Sequence, residues 1–243
     1  MTLTVLYAAS AVNPLSAWIA KLKDTFLTND RYKELITGFL NTILITLGAL
    51  CIGVIIGTLI AIIKYLAEDS RALKPLAWLC DVYLTVVRGI PMVVTLLIFY
   101  YIIFTSASDG TLVAIIAFGI NSGAYMAELI RSGINAVDSG QMEAGRSLGM
   151  SRLQAMRVII LPQAIRYILP AIFNEMIALL KETSVAGYVT VIDLTYAART
   201  IRDNTYDAPN TFLLVALVYL LLVVFLTRIL RRLERRLGKN DKR

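Results

Sequence analysis

Histidine is missing from this 243-residue sequence. Catalysis that shuttles protons on an imidazole is therefore excluded, as are metal sites ligated by histidine nitrogen. Charge is also scarce. Asp, Glu, Lys and Arg supply 17% of the residues, where water-soluble chains hold about a quarter, too little to cover a water-facing surface of this size. Cysteine occurs only as Cys51, inside an apolar run, and Cys80, just ahead of another. A stapling disulfide is not expected from that placement. No G-x-x-x-x-G-K-[ST] phosphate loop is present, so the chain has no nucleotide site of that kind.

What abounds is apolar residue, 58% of the chain, with a mean hydropathy of +0.70. So much apolar surface needs a solvent other than water, and lipid supplies it. The net charge of +7 raises nucleic acid as a partner, but position argues against it. Eight of the 24 basic residues fall between Arg228 and Arg243, directly after an apolar run. That is the pattern of a cytoplasmic helix end, and no soluble basic domain remains to bind nucleic acid.

Five runs are long enough to cross a hydrocarbon core, roughly Gly38–Ile63, Gly89–Phe104, Thr111–Ala136, Ala164–Leu180 and Thr211–Thr227. Each must be helical, because a helix satisfies its own backbone groups in lipid and no alternating barrel pattern occurs. The fold class is an all-α integral membrane protein with five transmembrane helices. The second and fourth runs are short, and their flanks are expected to extend the helices at an angle. The first run carries Ala49, Gly53, Gly57 and Ala61, a small stripe that lets helix backbones approach closely.

With the C-terminal tail placed in the cytoplasm, the inner segments hold fifteen basic residues and the outer ones six. The excess predicts an outside N-terminus and a cytoplasmic C-terminus. Met1 to Trp18 is apolar without a basic leader, the first basic residue being Lys21, and is read as retained rather than cleaved. Leu15, Trp18, Ile19, Leu22 and Phe26 recur at helical spacing among Lys21, Lys23 and Asp24. This suggests a helix lying on the outer membrane face, with anchoring favoured over substrate contact. Three regions result: an external interfacial segment over 1–33, a membrane domain over 34–237, and a basic cytoplasmic tail over 238–243.

The longest inner loop, Asp138 to Gln163, is too polar to span yet carries helix punctuation. Ser139 is expected to cap a short helix over Gly140–Leu148, closed by Gly149 in the left-handed conformation. Ser151 and Gln154 have the spacing of a capping box for a second helix, which Pro162 is expected to break. Glu143, Ala144 and Gly145 are followed by Gly149 four positions later, then by Ile159, Leu161 and Pro162. This arrangement resembles the EAA loop of ABC import permeases, with Gly145 standing where that pattern has alanine. The substitution costs the first helix up to about 1 kcal/mol in propensity.

The resemblance runs from about Gly38 to Leu237. Arg88-Gly89-Ile90-Pro91 resembles the RGxP element of polar amino-acid permeases. Asn174-Glu175 with Lys181-Glu182-Thr183-Ser184 resembles their N-E…K-D-T-S segment, with Glu182 in place of aspartate. It implies a type I ABC importer permease fold in the cytoplasmic membrane of a prokaryote. It also implies a second permease subunit, identical or homologous, two cytoplasmic ATPases, an external substrate-binding protein and an amino-acid substrate. ATP and magnesium would sit on the ATPase, with no cofactor on this chain, which would be a non-catalytic subunit. Glu143, Ala144, Gly145 and Gly149 would couple to the ATPase.

Helix depth places polar groups at one level without the family. Counting along the third run puts Asn121 and Ser122 near mid-membrane, the fourth does the same for Asn174 and Glu175, and Thr95 lies comparably in the second. Glu175 is the sharpest of these. A mid-membrane carboxylate costs about 2.5–3.5 kcal/mol on insertion scales, and Ala171, Ile172, Ala178 and Leu179 offer it no partner on its own helix. It is protonated, paired across helices, or awaiting a ligand, and ligand contact is favoured. Asn121 and Tyr125 share a face and either line the path or bond between helices. Glu128 and Arg131 read as a local ion pair. Lys181 and Glu182 mark a candidate outer hinge. Arg88, before the Gly89–Pro91 bend, is a hinge residue or a snorkelling side chain. A mid-membrane carboxylate would favour a cationic or polar amino acid. The rivals are a secondary transporter, which would show internal repeats, a membrane-embedded enzyme, which lacks a nucleophile–base pair, and a scaffold without transport.

Overall fold

The structure, a computed structural model, describes residues 14–238. The segment before Pro14 and the last five residues, which carry parts of the expected leader and basic tail, lie outside them. Every regular element among the described residues is helical. In order they are α1 (Pro14–Leu27), α2 (Tyr32–Ala67), α3 (Lys74–Gly89), α4 (Met92–Ile98), α5 (Gly110–Asn135), α6 (Ser139–Ser147), α7 (Arg152–Ala155), α8 (Leu161–Glu182), α9 (Leu194–Thr205) and α10 (Ala208–Gly238).

Four helical runs are long and apolar enough to cross a membrane, and α3 with α4 forms a fifth bent by 107°. The second expected span is thus a corner rather than a rod. Pro91 cannot donate a helical hydrogen bond and holds Ile90 extended, at φ −102° and ψ 130°. The expected break at Pro162 does not occur. A wider π turn over Met156–Ile160 lets helix run into α8, where Pro162 occupies the first turn and owes no amide bond.

Between lipid-bathed helices, burial of apolar surface offers little drive, so close packing has to hold them together. The α2–α5 seam shows how. A Cβ built on Gly53 would lie 2.7 Å from Ser122 Oγ, and one on Gly57 would lie 2.7 Å from the Ala127 backbone nitrogen. From the other side, Gly119 and Gly123 admit Ile52 and Ile56. The small stripe therefore brings backbone against backbone. Tyr83 of α3 adds a hydrogen bond to the Ile120 carbonyl at 2.5 Å. The outward faces of α2 and α10 keep Leu40, Leu44, Ile55, Leu213, Leu220 and Phe225 exposed, as lipid-facing surfaces do.

At the end carrying α1, a second set of contacts closes the molecule. Buried Asp193 caps α9 through the Thr195 and Tyr196 amides at 2.8 and 3.2 Å. Burial pushes its carboxyl up, against the pull of those bonds. Asp207, also buried, accepts from Thr25 and Asn210 at 2.8 Å each and lies 3.4 Å from Lys21 Nζ. Trp18 donates to Asn210 at 3.0 Å. The corner between α9 and α10 thereby holds α1.

Candidate functional site

Ser122 stands at the midpoint of α5 and is fully buried, and its hydroxyl donates to Glu175 Oε1 of α8 at 3.3 Å. Gly53 makes room for it by presenting no Cβ. No Lys or Arg lies within ion-pair distance of Glu175 among the described residues. The carboxylate has one hydroxyl and further acceptor capacity to spare.

The other residues expected at this level do not join one cluster. Successive positions on a helix point about 100° apart, so Asn121 and Ser122 leave α5 in different directions. The Asn121 amide approaches the Val87 carbonyl of α3 at 3.5 Å. Tyr125 lies under the Arg88 guanidinium at 5.6 Å. Thr95 is buried, with its hydroxyl 3.5 Å from the Pro91 carbonyl on its own element. Asn174 is exposed, and no hydrogen bond joins it to Glu175 among the described residues.

A second polar surface lies on the α3–α5 side. A cavity of about 470 Å³ is lined by Asp81, Thr85, Arg88, Gly89, Tyr125 and Glu128. Glu128 holds Arg131 at 3.1 Å, the local pair expected from spacing, and lies 3.9 Å from Arg88. Arg88 is thus turned toward the protein at the α3–α4 corner. Gly89 has nothing within 4 Å of a built Cβ, and Pro91 follows at the start of α4.

Lys181 and Glu182 diverge at the end of α8. Glu182 is seven residues from Glu175 and shares its face, whereas Lys181 opens onto a separate cavity of about 360 Å³ with Ser184, Thr195, Phe212 and Tyr219. No group of three or more metal-binding side chains occurs among the described residues.

The loop between α5 and α8 folds as two short helices. The cap of the first is one residue earlier than expected: Asp138, not Ser139, accepts from the Gly140 amide at 2.7 Å, and Ser139 is already helical. A carboxylate at the end of the positive helix dipole outcompetes the hydroxyl beside it. Gly149 takes φ +84°, and the Met150 amide returns to the Gly145 carbonyl at 3.2 Å. The Ser151–Gln154 capping box is present with both bonds. Glu143 and Ala144 are exposed, while Gly145 is buried where a Cβ would stand 3.2 Å from Ala155 Cβ.

Sequence reasoning missed Arg152. Its guanidinium pairs with Glu68 and, at 2.5 Å, with Asp69, and stacks 4.7 Å over the Tyr65 ring. The signal was a pair of adjacent acids at the C-terminal end of α2 and a basic loop later in the chain, too common a pattern to choose a partner.

The family described as binding-protein-dependent transport system inner membrane component matches residues 53–239. The arginine transport system permease protein ArtQ of Bacillus subtilis (strain 168) is 36% identical over 200 residues, 81% of this chain and 91% of the relative. The probable glutamine ABC transporter permease protein GlnM of the same organism is 35% identical over 213 residues, 87% and 96%. A solved structure described as an amino acid ABC transporter with histidines superposes with a TM-score of 0.79 at 39% identity, covering 87% of this chain and 98% of that one. An inward-facing structure of the MetNI methionine ABC transporter, 19% identical, shares the fold with a TM-score of 0.70 over 84% and 95%.

Proposed function

The chain belongs to the family of binding-protein-dependent transport system inner membrane components, and from that premise we propose that it is the pore-forming permease subunit of an ATP-driven importer for polar or cationic amino acids. The names of its relatives, arginine and glutamine permeases, support the substrate class. The observation that carries it to a site is the Ser122–Glu175 pair, a mid-helix carboxylate with no cationic partner among the described residues. Such a group suits an ammonium or guanidinium passing through.

In this reading the chain pairs with a second permease, identical or homologous, in the cytoplasmic membrane of a prokaryote. An external binding protein delivers the amino acid. Two cytoplasmic ATPases, which hold ATP and magnesium, grip α6 through exposed Glu143 and Ala144 and the Gly149 turn. Buried Gly145, expected in the same contact, instead seats α6 on Ala155 and Ile159. Their closure draws the docked loops together and exchanges inward- and outward-open states around Glu175. The α3–α4 corner at Arg88, Gly89 and Pro91, and the end of α8 at Lys181 and Glu182, are the hinges. Residues 1–33 form the external segment, 34–237 the membrane domain and 238–243 the cytoplasmic tail.

Uptake of labelled arginine, histidine, glutamine, glutamate and cystine into proteoliposomes tests the site. Glu175→Gln is expected to reduce cationic uptake far more than neutral uptake. Equal uptake of every substrate by both proteins removes Glu175 from the site. A cysteine placed at Ser147 is expected to react only from the cytoplasmic side, and labelling from outside overturns the threading.

A further inference from the structure

The loop helices pack on α5 and α8 through Met142, Met156 and Ile159, but among the described residues their polar contacts with α2 all pass through one side chain at its C-terminal end. We propose that Arg152 is the joint that transmits movement of the loop to α2, and through the α2–α5 seam to Glu175. The inference rests on the reading that an ATPase grips α6.

Arg152 opens α7, directly after the capping box that fixes where this helix starts. One guanidinium nitrogen pairs with Glu68 and the other with Asp69, while the plane lies over Tyr65. The Tyr65 hydroxyl reaches back to the Arg152 carbonyl at 3.5 Å. Tyr65 lies in the last turn of α2, and Glu68 and Asp69 form the turn that closes it, all three within reach of one guanidinium. Among the described residues, Arg152 takes part in every side-chain hydrogen bond and ion pair between residues 139–160 and residues 32–69. A lone exposed ion pair contributes little, about 0–1 kcal/mol. Here one planar fork serves two carboxylates and an aromatic face, so two bodies are fixed in direction as well as distance.

Contacts continue without a gap on both sides of the joint. On the loop side, α7 packs on α6 where Gly145 meets Ala155 and Ile159, so the gripped helix and Arg152 move together. On the membrane side, α2 is one uninterrupted helix of 36 residues. Eight residues before Tyr65, Gly57 packs against Met126 and Ala127, and Gly53 packs against Ser122. Ser122 holds Glu175. A shift of α2 along α5 would carry Gly53 off Ser122 and bring a larger side chain against the hydroxyl that the carboxylate uses.

The test uses the whole transporter, permease with its ATPase, in proteoliposomes with the cognate binding protein and labelled arginine. Arg152→Ala is expected to keep the ATPase through purification and to keep basal ATP hydrolysis. Arginine taken up per ATP hydrolysed should fall about ten-fold, within the usual range of coupling between sites. Arg152→Lys, which keeps charge but not the fork, should fall between. The exchange Arg152→Glu with Glu68→Arg should recover coupling relative to Arg152→Glu alone, which a merely stabilising contact would not require. Wild-type uptake per ATP in both Arg152→Ala and Arg152→Lys overturns the joint. So does loss of the ATPase from Arg152→Lys, which would make Arg152 part of the grip. If the wild-type chain itself retains no ATPase, the transporter reading fails and takes the joint with it.

Discussion

Replacing Gly57 with alanine adds one methyl group at the tightest point of the α2–α5 seam. The new Cβ would fall 2.7 Å from the Ala127 nitrogen and 2.8 Å from the Met126 carbonyl carbon, with Met126 Cβ closer still. Carbon contacts settle at about 3.5–4.0 Å, so α2 would have to withdraw by roughly 0.8 Å or more. The obstructing atoms are backbone and Cβ, which no rotamer change can move aside. Overpacking of this kind costs about 1–3 kcal/mol. A gap of about 0.5–1 Å also forfeits a quarter to a half of each dispersion contact it opens, and the seam spans Gly53, Gly57, Gly119 and Gly123. For a chain of this length each kcal/mol lowers the melting midpoint by about 2–4 °C. Gly89→Ala is the control, since nothing lies within 4 Å of its Cβ and its backbone is helical. Thermal unfolding in detergent, followed by the fraction still monodisperse on size exclusion, should place Gly57→Ala several degrees below wild type and Gly89→Ala close to it. If Gly57→Ala melts with wild type, or above Gly89→Ala, the close approach of these helices is refuted.

Gly149→Ala must adopt φ +84°, a left-handed conformation that costs an L-residue about 1–2 kcal/mol. It should weaken ATPase retention, and Gly149→Asn should weaken it less; equal retention by all three would show that the turn does not order α6. Asp207 has a carboxyl that burial alone would raise, but bonds from Asn210 and Thr25 and the charge of Lys21 hold it below its ordinary value. The folded chain thus binds fewer protons there than the unfolded one. Its stabilisation is complete above the ordinary carboxylate value of about 4 and is lost as pH falls through the lower, folded value. The difference in melting temperature between wild type and Asp207→Asn should shrink across that acid window, and a difference that stays constant or grows contradicts the network.

Hydropathy alone locates the five spans, because a hydrocarbon core demands length and little else. Counting depth along two spans brings Ser122 and Glu175 to one level, and the structure joins them. The same count cannot separate Asn121 from Ser122, since their divergence depends on which neighbour each face of α5 meets. Local chemistry locates the Gly149 turn and the Ser151 capping box, each involving residues a few positions apart. It misplaces the cap at Ser139, because Asp138 beside it is an equally good candidate on paper. Pro162 misleads for a related reason: a proline excludes an amide bond, but a π turn upstream removes the need for one. Arg152 with Glu68, and Thr25 with Asp207, lie too far apart in sequence for either residue to name the other.

The corner between α3 and α4 has a consequence for the solvent around it. A chain that turns through 107° at Gly89–Pro91 leaves peptide groups at the corner without helical partners, and hydrocarbon would offer them none. Gly89 is open on its side-chain face, and the cavity beside it carries Asp81, Arg88 and Glu128. The open, charged recess gives those groups room for water, whereas the Gly53–Ser122 contact leaves none. Under the proposed transport function, a solute would shed its water between that open recess and the buried serine.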